Sequence, residues 1–217
     1  MDDATATGRP RLRGVLHQWA CAASLPTGVL LVLLAPSRRA AVAAVVYGLS
    51  LSALFGVSAL YHRVTWTPAT RRWMRRLDHA MIFLLIAGTF TPVCLLAVGG
   101  PLGRALLTVV WGGAIAGIAL QVAWIDAPKW VMAAVGVALG WVGVVALPAM
   151  VAHAGWPPAL LLLAGGLLYS LGAWVYARRR PDPAPAVFGY HEVFHALVVA
   201  AAGVHWIAVA GWVVPGA

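Results

Sequence analysis

Acidic side chains are scarce in this chain: six Asp and Glu stand against fifteen Lys and Arg in 217 residues, and charged residues of both signs make up only 10% of it. A soluble domain carries about 25%. With 62% hydrophobic residues the composition excludes such a domain and describes an integral membrane protein. Cysteine is nearly absent as well. Cys21 and Cys94 both fall in apolar stretches, which excludes a disulfide framework and a cysteine-based zinc site and leaves both as packing residues. Nor is there length to spare, since at about 20 residues per span the chain holds about six to eight helices and no soluble domain. No small-residue cleavage site follows the first apolar stretch after Arg9, Arg11 and Arg13, so the first span is expected to be retained rather than removed as a signal peptide.

What the chain does have is long apolar runs. Hydropathy predicts an all-α, single-domain bundle of seven transmembrane helices over residues 1–217, with spans at roughly 15–35, 40–61, 78–98, 103–123, 130–150, 158–177 and 191–214 and a cytoplasmic tail at 1–14. Pro36-Ser37, Gly99-Gly100-Pro101, Ala127-Pro128 and Gly155-Trp156-Pro157-Pro158 punctuate the breaks, and Arg178 to Pro185 forms a basic, proline-rich connection. Trp66, Trp73, Trp124, Trp130 and Trp156 sit near the boundaries, as interfacial rings do. Counted on alternate sides of the membrane, twelve basic residues fall with the N-terminal tail and three on the other side, which places the N-terminus in the cytoplasm and the C-terminus outside. The same clustering at span ends reads the net charge of +9 as topology near anionic headgroups, so membrane lipids rather than nucleic acid are the expected partners. Gly113-x-x-x-Gly117 and Gly136-x-x-x-Gly140 permit close helix contact within the bundle and leave a homo-oligomer open; nothing in the sequence names a protein partner.

His191-Glu192-Val193-Phe194-His195 opens the last apolar segment. Two histidines at i and i+4 share one helix face about 6 Å apart along the axis, within reach of a single metal ion. With the alternating topology, His62 at the end of the second span, Asp78 at the start of the third and His191 at the start of the seventh reach the same depth, with Ser58 one turn above His62. Asp78 and Glu192 are the two acidic residues at or inside spans, where a charge needs a reason. Three imidazoles leave a fourth position open on a tetrahedral ion, the arrangement of catalytic zinc. Zinc activates water, which Asp78 or Glu192 would deprotonate or orient, and polarises a carbonyl, so an amide or ester bond suits the site. His79, His17 and His205 read as polar packing or supporting residues, with His79 kept beside Glu192 as a further site candidate.

Ser58-Ala59-Leu60-Tyr61-His62, then Leu77-Asp78-His79-Ala80 running through Ile86-Ala87-Gly88-Thr89-Phe90-Thr91-Pro92, then Gly189-Tyr190-His191-Glu192-Val193-Phe194-His195 with His205 resemble the hemolysin III family across essentially all seven spans. That family is the bacterial branch of the progestin and adipoQ receptor (PAQR) superfamily. The resemblance implies a multi-pass protein of the bacterial inner membrane with a cytoplasmic N-terminus. It also implies zinc held by His62, His191 and His195, Asp78 contacting the ion through its water, and Ser58 behind them. The alkaline ceramidases, more distant relatives, hydrolyse a lipid amide with a similar Ser, His and Asp constellation, which makes a zinc-dependent, ceramidase-like lipid hydrolase the leading expectation. A homeostasis regulator or receptor with structural zinc, and an intramembrane metalloprotease using His-Glu-x-x-His, are the alternatives. A lytic pore lacks support, because the few intramembrane charges gather at one end. One departure stands out: the family's first span often opens with Glu and Asn before a His, whereas Leu12-Arg13-Gly14-Val15-Leu16 precede His17 here.

Overall fold

A computed structural model describes residues 9–217; residues 1–8 of the expected tail, with Asp2 and Asp3, lie outside the described residues. Among the described residues eight α-helices make seven membrane-length spans: α1 (Val15–Leu33), α2 (Arg38–Arg63), α3 (Pro68–Pro92), α4 (Gly100–Ala123), α5 (Lys129–Trp141), α6 (Leu147–Ala154), α7 (Trp156–Arg178) and α8 (Tyr190–Ala208). A π-helical turn extends α3 through Val98 and another extends α8 through Val213, while a 3₁₀ turn over Val142–Ala146 joins α5 and α6 into the fifth span. Consecutive helices pack side by side, α1 on α2, α2 on α3, α3 on α4 and α7 on α8, and α1 also meets α8.

Local chemistry sets the helix ends. Ser37 and Thr67 cap α2 and α3, their side chains accepting from the amides of Ala40 and Thr70, and Pro68 supplies the preset φ that suits a first helical position. α3 therefore starts ten residues before Asp78, where the apolar run begins. Hydropathy hides this start because Arg71, Arg72, Arg75 and Arg76 occupy the first turns. Trp66 and the Val64 amide both donate to the Leu60 carbonyl and close the end of α2. The first ten residues of α3 then rise about 15 Å, and Asp78 stands level with His62, its Oδ2 3.8 Å from His62 Nε2.

Gly113 and Gly117 of α4 receive the side chains of Leu139 and Phe83, whereas Gly140 has nothing within 4 Å of where a Cβ would stand. The first glycine pair therefore serves packing within the bundle, as expected, while in the second a Cβ on Gly136 would meet Ile82 at 4.0 Å and both glycines border the cavity. His153, expected in an outer connection, lies in the last turn of α6 and donates to the Ala149 carbonyl.

Candidate metal centre

Where α2 and α8 meet, three imidazoles share one point. The ligand-capable atoms of His62, His191 and His195 all lie within 4.8 Å of one another, and the ring centroids are 4.5–5.0 Å apart. The Nε2 atoms of His62 and His191 are 3.2 Å apart. Two nitrogens each about 2.0 Å from one tetrahedral ion stand about 3.3 Å apart, so this pair has the spacing that a shared cation requires. His62 and His195 are buried and His191 is partly buried. The Nδ1 of His195 has no hydrogen-bond partner among the described residues, a costly state for a buried nitrogen. An all-nitrogen donor set with no thiolate suits zinc and its first-row neighbours.

A carboxylate stands beside the trio. Asp78 Oδ2 is 3.8 Å from His62 Nε2, and both side chains are nearly buried; the Ser58 hydroxyl, also buried, bonds the Asp78 carboxylate. Asp78 lies well inside α3, whose N-cap is Thr67, so its role is not helix capping. Two flanking rings hold the histidines in place: His17 of α1 stacks on His195 with centroids 3.8 Å apart and planes 10° from parallel, and Tyr61 tilts against His62 at 4.6 Å. His79 turns toward α4, where its Nδ1 meets the side-chain amide of Gln121 at 3.0 Å. His205 lies deeper, donating through Nε2 to the Leu162 carbonyl.

Glu192 is 1% exposed and both its oxygens are engaged. Oε2 accepts from the Gly189 amide at 2.9 Å, which fastens the first turn of α8, and Oε1 accepts from Arg13 Nε at 2.5 Å. Arg178, Arg179 and Arg180 lie far nearer to it in sequence. The arginine comes instead from the N-terminal segment, 179 positions away. That segment is held down further by the Arg11 and Leu12 amides, which donate to the carbonyls of Ala186 and Val187. Asp182 also accepts from the Tyr190 amide, so the start of α8, and with it His191 and His195, is fixed from several sides.

Gly14 is a site residue that sequence reasoning passed over. It turns the chain into α1 with φ of 79°, and a Cβ there would stand 2.6 Å from His62 Cβ. No side chain fits between this turn and the histidine. On the outer face of the same end, Arg75 bonds Asp126 at 2.6 Å, and the guanidinium holds that exposed carboxyl below its usual range.

Seven apolar spans and a buried three-histidine cluster with a carboxylate at its side define a multi-pass membrane protein that can hold a metal ion at one end of its bundle. The family model described as Haemolysin-III related matches residues 6–206, and the chain belongs to that family, part of the wider PAQR superfamily. It is 31% identical over 206 residues to Hemolysin-3 of Bacillus cereus, covering 94% of this chain and 91% of that one. It is 30% identical to a Hemolysin-3 homolog of Bacillus subtilis (strain 168), with 81% of each chain covered. A human relative, Monocyte to macrophage differentiation factor, is 27% identical over 76% of this chain and 67% of its own length. Family and spans together place the protein in the cell membrane as a multi-pass protein.

Proposed function

We propose that this protein is a zinc-dependent hydrolase that cleaves an amide or ester bond of a membrane lipid. The observation that carries this reading is a cavity of about 980 Å³ that begins at Ser58, His62, Asp78, His191 and His195 and continues past Phe90, Val93, Met150 and Leu162. From Asp78 to Val93 it follows α3 for about 22 Å, more than the roughly 15 Å depth of one leaflet's hydrocarbon. A polar head joined to a long apolar chamber matches a lipid whose scissile carbonyl sits at the histidines and whose acyl chain fills the rest.

His62, His191 and His195 would hold the ion, which when bound would polarise the carbonyl and acidify water. Asp78 takes the proton from the attacking water on a carboxylate oxygen and returns it to the leaving nitrogen or oxygen as the acyl bond breaks. Ser58 holds that carboxylate, and His17 keeps the His195 ring from turning. Glu192 is a poor general base because Gly189 and Arg13 already occupy both its oxygens, which argues against the metalloprotease alternative.

Asp78→Asn in purified, zinc-loaded protein tests the reading. The expected outcome is an unchanged zinc content and at least a 100-fold slower release of fatty acid from amide- or ester-linked lipids. Unaltered turnover in this variant would remove Asp78 from the mechanism. If zinc-loaded parent protein cleaves no lipid in a broad screen, while His191→Ala loses both zinc and thermal stability, the ion serves only to tie α2 to α8.

A further inference from the structure

The chamber that leads away from the metal centre is apolar at Phe90, Val93, Leu162 and Val198, yet two polar rings border it far from the three histidines. His205 stands ten residues after His195 on α8, about 15 Å further along the axis. With the centre at the inner edge of the hydrocarbon, that depth is close to the bilayer midplane. An ionisable ring there is costly and calls for a function. Part of the reason is structural: Nε2 donates to the Leu162 carbonyl at 3.0 Å, and Gly165 supplies the room, since a Cβ at that position would collide with Cδ2 and Nε2 of the ring.

That bond fixes the tautomer. A carbonyl oxygen only accepts, so the ring proton is on Nε2 and Nδ1 is left as a bare acceptor. Nδ1 is buried and has no donor among the described residues, which is costly for a polar atom withdrawn from water. The Cδ2–Nε2 edge is the one set against the backbone of α7, so Nδ1 lies on the far edge of a ring that borders the cavity. Beside it stands Tyr169 of α7, its ring centroid 5.4 Å from that of His205 and the two planes at 66°. Tyr169 borders the cavity as well. Its hydroxyl has no hydrogen-bond partner among the described residues, whereas a tyrosine withdrawn from water ordinarily has one. Packing α7 on α8 explains neither group, because leucine and phenylalanine fill such space without an unmet polar atom.

We propose that Tyr169 and His205 form a subsite for a hydroxyl group carried part-way along the lipid's acyl chain. A hydroxyl donates and accepts at once: its proton goes to Nδ1 of His205, and its oxygen receives the proton of Tyr169. Two such bonds to one oxygen span up to about 5.6 Å, a reach suited to groups on neighbouring rings. A keto oxygen accepts only and leaves Nδ1 unmet; a plain methylene leaves both groups unmet. Resting on the lipid-hydrolase reading of the cavity, the proposal narrows the substrate class to lipids with a hydroxylated acyl chain. The fold also sets where that hydroxyl lies. An extended chain advances about 1.2 Å per single bond, so the rise of about 15 Å from His195 to His205 corresponds to about twelve bonds from the carbonyl held at the histidines.

The ethanolamides of stearic, 12-hydroxystearic, 12-oxostearic and 2-hydroxystearic acids share one headgroup and one chain length, and place the polar group about twelve bonds from the carbonyl or beside it. Each is offered to the zinc-loaded full chain in nanodiscs, with retained lipid read by native mass spectrometry and released fatty acid measured separately. The 12-hydroxy lipid should be retained at least about fivefold over the stearoyl one, with the 12-oxo and 2-hydroxy lipids close to the latter. Tyr169→Phe, which removes a single oxygen, and His205→Leu should each cut that ratio severalfold. Ser170→Ala should leave it intact, because that hydroxyl is already engaged by the Gly166 carbonyl and Trp141. The ratio separates recognition from folding, since a variant that merely loosens α8 on α7 lowers retention of every lipid together; if His205→Leu does not fold, Tyr169→Phe decides. Equal retention of the 12-hydroxy and stearoyl lipids, or a ratio untouched by the variants, overturns the proposal. So does an equal gain from the 2-hydroxy lipid, which moves recognition to the head of the cavity, or from the 12-oxo lipid, which needs no acceptor at His205. A retention preference with no release of fatty acid upholds the subsite and sinks the hydrolase reading, while release from all four without preference does the reverse.

Discussion

The third and fifth spans are comparably apolar, yet 56% of the most apolar stretch of the third is buried within the bundle and only 6% of that of the fifth. α3 is enclosed by α2 and α4 and carries Asp78. The fifth span, broken by the 3₁₀ turn at Val142–Ala146, closes one side of the cavity, which it lines with Met132, Gly136, Gly140, Val144 and Leu147. Hydrophobic character alone says that a segment crosses the membrane, not what it touches there, because lipid and protein are similar surroundings for an apolar side chain. Polar chemistry belongs on the enclosed side, where neighbouring helices can hold it, and an apolar ligand is best admitted beside the exposed one.

The comparison can be broken most forcefully at the centre itself. His195→Ala should lower bound metal from about one ion per chain to a small fraction and abolish the stability gained on adding zinc, as read by elemental analysis and thermal unfolding with and without chelator. Next comes Glu192→Gln, which leaves Arg13 facing a neutral amide in a site that is closed on the carboxylate side. A loss of about 3 kcal/mol is expected, partly restored in the Arg13→Gln, Glu192→Gln double variant, with metal binding retained. The smallest effects form a matched pair of glycine substitutions that sharpens the contrast between packed and open sides. A methyl group at Gly117 would stand 2.5 Å from the fully buried Phe83 ring, so Gly117→Ala should cost about 1–3 kcal/mol. Gly140→Ala meets nothing within 4 Å and should be neutral or slightly stabilising. Equal costs for the two would mean that the fifth span is packed as tightly as the third.

Much of this was legible in the chain. Seven spans follow from hydropathy, and His62, Asp78, His191 and His195 reach one layer because alternating crossings leave no other place for them. The Gly189-x-x-Glu192 spacing even contains the signal for half of Glu192's environment, since a glutamate three residues past a helix start bonds back to it. What stayed hidden depends on contacts that no local period encodes. Arg13 looks like one more basic residue of a tail until α1 and α8 are side by side, and Gly14 gains its meaning only from the ring that presses on it. The early start of α3 was masked because four arginines depress hydropathy without weakening a helix.

The clasp between Arg13 and Glu192 also orders events during synthesis. A ribosome adding about 5–20 residues per second finishes the first span long before it makes the carboxylate 179 positions later. For roughly 10–35 seconds at those rates the arginine waits at the inner surface without its counter-ion. The centre is therefore completed last, when the final segment inserts against the first, and a nascent chain stalled before that moment has no means of capturing metal.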